Sequence, residues 1–139
     1  MSEVYVKDRK ETSLQFYANA LKFTKEIIKF VMREKVVPKK WRFTLCQDII
    51  LKCAELLDNI THANSIWPTD EEKLNERKKW QTEAICNCFQ LQNKLIILEA
   101  CVETVKIEKM IFLDDLKHEV DLLKAWQKSG KVLSQKDKA

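Results

Sequence analysis

Apolar residues recur at spacings of three and four along most of the chain, in runs separated by a few polar or proline-containing breaks. The first run extends from Thr12 to about Lys35 and carries two stripes. Leu14, Tyr17, Leu21, Thr24, Ile28 and Val31 form one, and Phe16, Ala20, Phe23, Ile27 and Phe30 form the other. At about 100° per residue the two stripes cover roughly 200° of a helix circumference. An outer helix of a monomeric bundle needs a narrower apolar face. The excess predicts contact with a second copy of the chain, with Phe16, Phe23, Ile27 and Phe30 as the oligomer interface.

The second run, Leu45 to about Asn64, has the stripe Leu45, Ile49, Cys53, Leu56, Ile60 and Ala63, widened by Ile50 and Leu57. The connection VVPKKWRFTLCQD lies between these runs. Pro38 ends the first helix and pushes Val37 toward an extended conformation. Thr44-Leu45-Cys46-Gln47 fits a capping box, in which the Thr44 hydroxyl accepts from the Gln47 N–H. SIWPTDEE breaks the second run: Pro68 stops the helix, and Thr69-Asp70-Glu71-Glu72 reads as another capping box. Its carboxylates lie in the first turn, where the helix dipole favours them.

From Thr69 to Lys128 the chain has neither Gly nor Pro. As one helix this stretch would be about 90 Å long, against a radius of gyration of about 14 Å for a compact chain of this size. It must fold back. The stripe Ala84, Cys88, Leu91, Leu95, Leu98, Val102, Val105 gives way to Leu113, Leu116, Val120, Leu123, which puts the break near Thr104–Ile107. Gly130 fits the C′ position of the last helix. The expectation is an all-α, antiparallel up-down four-helix bundle over residues 12–130, with a flexible N-terminus at 1–11 and a flexible basic tail at 131–139.

Composition narrows the chemistry. One glycine and two prolines leave little material for β-hairpins and exclude glycine-rich phosphate loops. No H-E-x-x-H, G-x-S-x-G or Ser/His/Asp arrangement can be drawn, so an enzyme is not expected. Five cysteines, Cys46, Cys53, Cys86, Cys88 and Cys101, lack C-x-x-C pairing; they read as small hydrophobes, and neither a metal nor another cofactor is expected. No apolar run is long enough to span a bilayer, and MSEVYVKDRK has no apolar signal core, so the expectation is a cytoplasmic protein without membrane contact.

The net charge of +4 is unevenly placed. Residues 1–42 carry eleven Lys/Arg and five Asp/Glu, residues 43–104 six and ten, and residues 105–139 eight and six. Lys22, Lys25, Lys29 and Arg33 follow at spacings of three, four and four along one edge of the first helix. They lead into Lys39, Lys40 and Arg42, with Trp41 among them. A second cluster, Arg77, Lys78 and Lys79 before Trp80, opens the third helix. Cations interleaved with aromatics suit phosphate contact with base stacking, so both clusters are candidate nucleic-acid contacts, to RNA, DNA or both.

The segment PKKWRFTLCQDI resembles the motif P-K-x-x-R-F-T-L-G-Q-R-I of a bacterial four-helix-bundle family. That family comprises the accessory variability determinant (Avd) of diversity-generating retroelements and proteins encoded in intervening sequences of large-subunit ribosomal RNA genes. Pro38, Lys39, Arg42, Phe43, Thr44, Leu45, Gln47 and Ile49 match it. Leu122-Leu123-Lys124-Ala125-Trp126 loosely resembles the family's M-L-G-G-W, and the likeness extends over about residues 14–128. Cys46 stands where the motif has Gly, and Asp48 where it has Arg. The resemblance implies a pentameric ring of bundles and an accessory protein that binds nucleic acid and a reverse transcriptase. The alternative it leaves is a protein-interaction scaffold of the intervening-sequence type, without a polymerase partner.

Overall fold

A computed structural model describes residues 15–133; the expected flexible segment 1–11, the start of the first run at Thr12 and Leu14, and residues 134–139 lie outside it. Four α-helices pack together, and the described residues contain no strand. They are α1 (Gln15–Val31), α2 (Gln47–Ser65), α3 (Glu71–Cys101) and α4 (Leu113–Ser129). Each helix packs against its neighbour in the chain, and α4 returns to pack on α1, closing the bundle.

The core follows the stripes. Ala20, Phe23 and Ile27 from α1 meet Cys53, Leu56 and Ile60 from α2, Cys88, Leu91 and Leu95 from α3, and Leu116 and Leu123 from α4, all at most 1% exposed. Val37, Val102, Val105, Met110 and Phe112 close one end. Ring contacts tie α1 to α4 and to Phe112, the residue just before it. Phe16 stacks on Trp126 at 4.1 Å between centroids, and Phe30 meets Phe112 edge-on at 5.5 Å.

The interface expected on α1 is corrected by this packing. Phe16, Phe23 and Ile27 lie inside the chain's own core, at no more than 2% exposure, and Phe30 is half-buried against it. A helix in a closed bundle has two neighbours and needs two stripes. One stripe faces α4 through Phe16 and Phe30. Thr24 and Val31, from the other stripe, reach Cys53 and Cys46 on the α2 side. What stays open on α1 is Tyr17 and Leu21, the latter 50% exposed.

Two expected caps also move. Helical structure after Pro38 begins at once, as a 3-10 turn at Lys39–Trp41 followed by a π-helical segment, Arg42–Cys46, that runs into α2. The Gln47 N–H therefore donates to the Arg42 carbonyl, and Thr44 Oγ1 donates instead to the Trp41 carbonyl at 3.4 Å. Thr44 is inside the helical run and caps nothing. For α3 the cap is Asp70, whose carboxylate accepts from the Lys73 N–H at 2.8 Å; Thr69 lies one residue too early. Gly130 ends α4 at φ −66°, ψ 136°, with no left-handed turn. A Cβ there would sit 3.3 Å from the Gln127 carbonyl oxygen and in ordinary contact, at 3.4 Å, with Leu74 Cδ1 of α3.

The break between α3 and α4 falls at 102–112, around the expected position. Val102, Thr104 and Val105 are β-branched and disfavour continued helix. Val102 and Val105 turn inward over the core, Thr104 Oγ1 donates to the Val36 carbonyl, and the Ile107 N–H donates to the Glu99 carboxylate. After α4 the chain runs back toward the α2–α3 connection, where the Leu133 N–H donates to the Pro68 carbonyl at 2.9 Å.

Candidate nucleic-acid interface

Lys22, Lys25 and Lys29 of α1 point outward, and they and Arg33, two residues past its end, are all exposed. The three lysines do so because the inward positions of α1 are filled by Phe23, Ile27 and Val31. Lys22 is partly neutralised by Asp115 of α4, at 3.4 Å. Lys25, Lys29 and Arg33 form no ion pair with another described residue. The connection continues the surface. Lys39 Nζ and Arg42 Nη2 lie 4.0 and 3.7 Å from the same oxygen of Glu34, so one carboxylate is shared between two cations. Lys40 Nζ lies 5.5 Å from the Trp41 ring centroid. Exposed pairs of this kind contribute about 0–1 kcal/mol, so they leave most of the local positive potential in place.

The structure adds a cation that the periodicity did not single out. The 3-10 turn Ile107–Lys109 brings Lys109 to the rim of a hollow of about 170 Å³ shared with Lys29, Arg33 and Glu26, floored by Phe30 and Phe112. Lys109 is distant in sequence from the α1 stripe, and only the return of the chain at the α3–α4 break joins them.

Arg77, Lys78 and Lys79 do not join this surface. The contact of Thr104 with Val36 puts the α3–α4 connection at the same end as the α1–α2 connection. Arg77–Lys79 are near the opposite end, where Gln127 Nε2 donates to the Lys78 carbonyl at 2.9 Å. The 31 residues of α3 span about 46 Å, and most of that length separates the two clusters. Arg77 is half-buried with its guanidinium 5.2 Å from the Trp126 centroid, in a stack that continues to Phe16. Lys79 lies 5.7 Å from the Trp80 ring, which is itself stacked on His62 at 4.0 Å. Arg77 thus covers an aromatic seam of the bundle, while Lys79 stays exposed.

The two departures from the family motif have structural roles. Cys46 is buried, and its thiol lies 3.5 Å from the Val31 carbonyl, closing the seam between α1 and the start of α2. Burial pushes this thiol up, against the opposing influence of Arg42. Asp48 pairs with Lys94 of α3, so the acid on α2 serves a helix–helix contact outside the basic surface. All five cysteines are free thiols; Cys46, Cys53 and Cys88 are buried, and Cys86 and Cys101 are exposed.

The described residues contain no cluster of His, Cys, Asp and Glu arranged to hold a metal ion, and no described helix is long and apolar enough to cross a membrane. The described residues form four packed helices, with one group of exposed cations along α1 and the connection after it and a second cluster near the opposite end. No protein-family model, curated protein or solved structure matches the chain.

Proposed function

We propose that this chain is a non-catalytic, basic accessory protein that binds nucleic acid and associates with a reverse transcriptase, in the manner of the Avd-like proteins it resembles. The observation that carries the reading is the set of exposed cations Lys25, Lys29, Arg33, Lys39 and Lys40 along α1 and the connection after it, with Glu26 and Glu34 among them. Lys39, Lys40 and Arg42 stand at the amino end of the helical run that becomes α2. A cation there opposes the helix dipole, so local stability gives no reason for three of them. Attraction of a polyanion does.

The proposed topology is antiparallel up-down. Contacts support it because residue numbers rise in one helix as they fall in the next. Phe16 and Phe30 of α1 meet Trp126 and Phe112, and Asp48 and His62 of α2 meet Lys94 and Trp80. The proposed assembly is a pentameric ring. With Phe16, Phe23 and Ile27 committed to the core, such a ring would use the exposed apolar residues Leu21, Ile96, Ile97 and Ile111. Those same residues favour the second reading, a protein-interaction scaffold of the intervening-sequence type.

The deciding experiment is a salt titration of binding to RNA and DNA by the wild type and a Lys39→Gln/Lys40→Gln/Arg42→Gln variant. Phosphate contacts carry no sequence information, so the variant should bind both more weakly. Its log-affinity against log-salt slope should flatten by about 0.9 per lost contact for duplex DNA and about 0.7 for single strands. A wild type that binds neither polymer at low salt hands the case to the scaffold reading.

A further inference from the structure

The π-helical segment Arg42–Cys46 does more than join two helices. It turns the Phe43 ring outward to 81% exposure, the highest of any large apolar side chain described. Beside the ring is a hollow of about 250 Å³ whose walls include Met32, Phe43, Ile50 and Leu51; Arg42 and Gln47 also border it, and its lining is almost wholly apolar. Met32 and Leu51 are themselves 40% and 59% exposed. An open phenyl ring at the mouth of an apolar hollow brings no stability to the isolated chain. It is a surface that lacks its occupant.

We infer that this hollow receives one unpaired nucleobase of a single-stranded nucleic acid, stacked on Phe43, while the strand's phosphates run along Lys39 and Lys40. The inference rests on the nucleic-acid reading above and deepens it, by naming single strands as the preferred ligand. Charge selects this occupant over an apolar side chain of a protein. Lys39, Lys40 and Arg42 lie just before Phe43 in the chain, and among the described residues Glu34 is the acid that pairs with Lys39 and Arg42. Bases in a duplex are stacked on one another and do not present a free face, whereas an unpaired base does. Stacking on an aromatic side chain is tolerant of base identity, so the site discriminates strandedness and not sequence.

The test uses the full chain and three labelled probes in fluorescence anisotropy: single-stranded oligothymidylate, the same strand with abasic residues, and a duplex. Phe43→Ala should weaken binding to oligothymidylate by about tenfold, within the range that loss of one stacked base produces. It should leave duplex affinity and the salt slope unchanged. Phe43→Trp should retain binding, and Phe43→Leu, which keeps apolar bulk without a π face, should behave like the alanine variant. The abasic strand should bind the wild type about as weakly as oligothymidylate binds Phe43→Ala. Equal effects of Phe43→Ala on single strand and duplex, or none on either, overturn the inference while the nucleic-acid reading stands. A change in particle size without a change in affinity overturns it in favour of a protein contact. A wild type that binds no probe at all removes both readings together.

Discussion

The side-chain amide of Asn19 on α1 donates to Glu119 Oε1 on α4 at 3.1 Å, at the edge of the core, while also donating to the Asp115 carbonyl at 2.9 Å. Glu119 is fully buried, and its second carboxyl oxygen has no hydrogen-bond partner. Thr24, Cys53 and Cys88 bring further polar groups into the interior from the other three helices. Burial pushes the Glu119 carboxyl up to about 8, although the Asn19 hydrogen bond acts in the opposite direction. Burial likewise raises Cys53 to about 11 and raises Cys88 further.

Because the folded protein holds the Glu119 proton more tightly than the unfolded chain, ionisation works against the fold. The stabilising contribution is complete below about 4.5, is lost as pH rises, and is gone above about 8. Thermal melts across this window should show stability falling with pH. Glu119→Gln keeps an uncharged hydrogen-bonding group there and should flatten the fall. An unchanged pH profile in the glutamine variant would show that Glu119 is not its source.

The caps make a paired prediction. Asp70→Ala removes the acceptor for the Lys73 N–H and should cost about 1 kcal/mol in a denaturant melt. Thr44→Ala should change stability by less than about 0.5 kcal/mol, since its hydroxyl bonds a carbonyl inside a helical run that starts earlier. The reverse order would mean that α2 begins at Thr44 in solution.

On α1, the buried and the open apolar positions should respond differently. Phe23→Ala empties a fully buried site and should cost about 3–5 kcal/mol. Leu21→Ser, at a half-exposed position, should stay within about 0.5 kcal/mol of the wild type in any monomeric state. Light scattering should give a particle several times 16.5 kDa, five copies being the proposed count. A clean monomer at micromolar concentration rules out the ring.

The two basic clusters separate in the same way. Lys25→Gln/Lys29→Gln should reduce the salt slope for single-strand binding by about 1.4 and leave the melt unchanged. Arg77→Gln should lower the melting temperature, because the guanidinium covers the Trp126 ring, and leave the slope unchanged. If Arg77→Gln flattens the slope, both ends of the bundle touch the polymer.

Much of the fold is legible in the amino-acid order because helix periodicity is a local property. The stripes Ile49–Cys53–Leu56–Ile60 and Leu91–Leu95–Leu98 are buried as their spacing requires, and Pro38 and Pro68 lie in the connections that they were expected to set. The break without Gly or Pro was visible only as a change of stripe. Its position near Val102–Val105 depends on partners such as Val36 and Glu99.

What the sequence alone determined is the number of helices, their inward stripes and the outward run of cations on α1, since each follows from spacing within a single helix. Tertiary structure decided the rest, because it depends on which faces meet. The wide arc of α1 became core, since two neighbouring helices cover it. Lys109 joined Lys29 and Arg33 across a fold-back, and Arg77 was drawn onto Trp126 at the far end. The helical run that leads into α2 begins at Lys39, and the Arg42 carbonyl takes the N–H that Thr44 would have capped. With that shift Phe43 turned out to solvent, an orientation that period-counting cannot see, because a π turn breaks the period on which the counting relies.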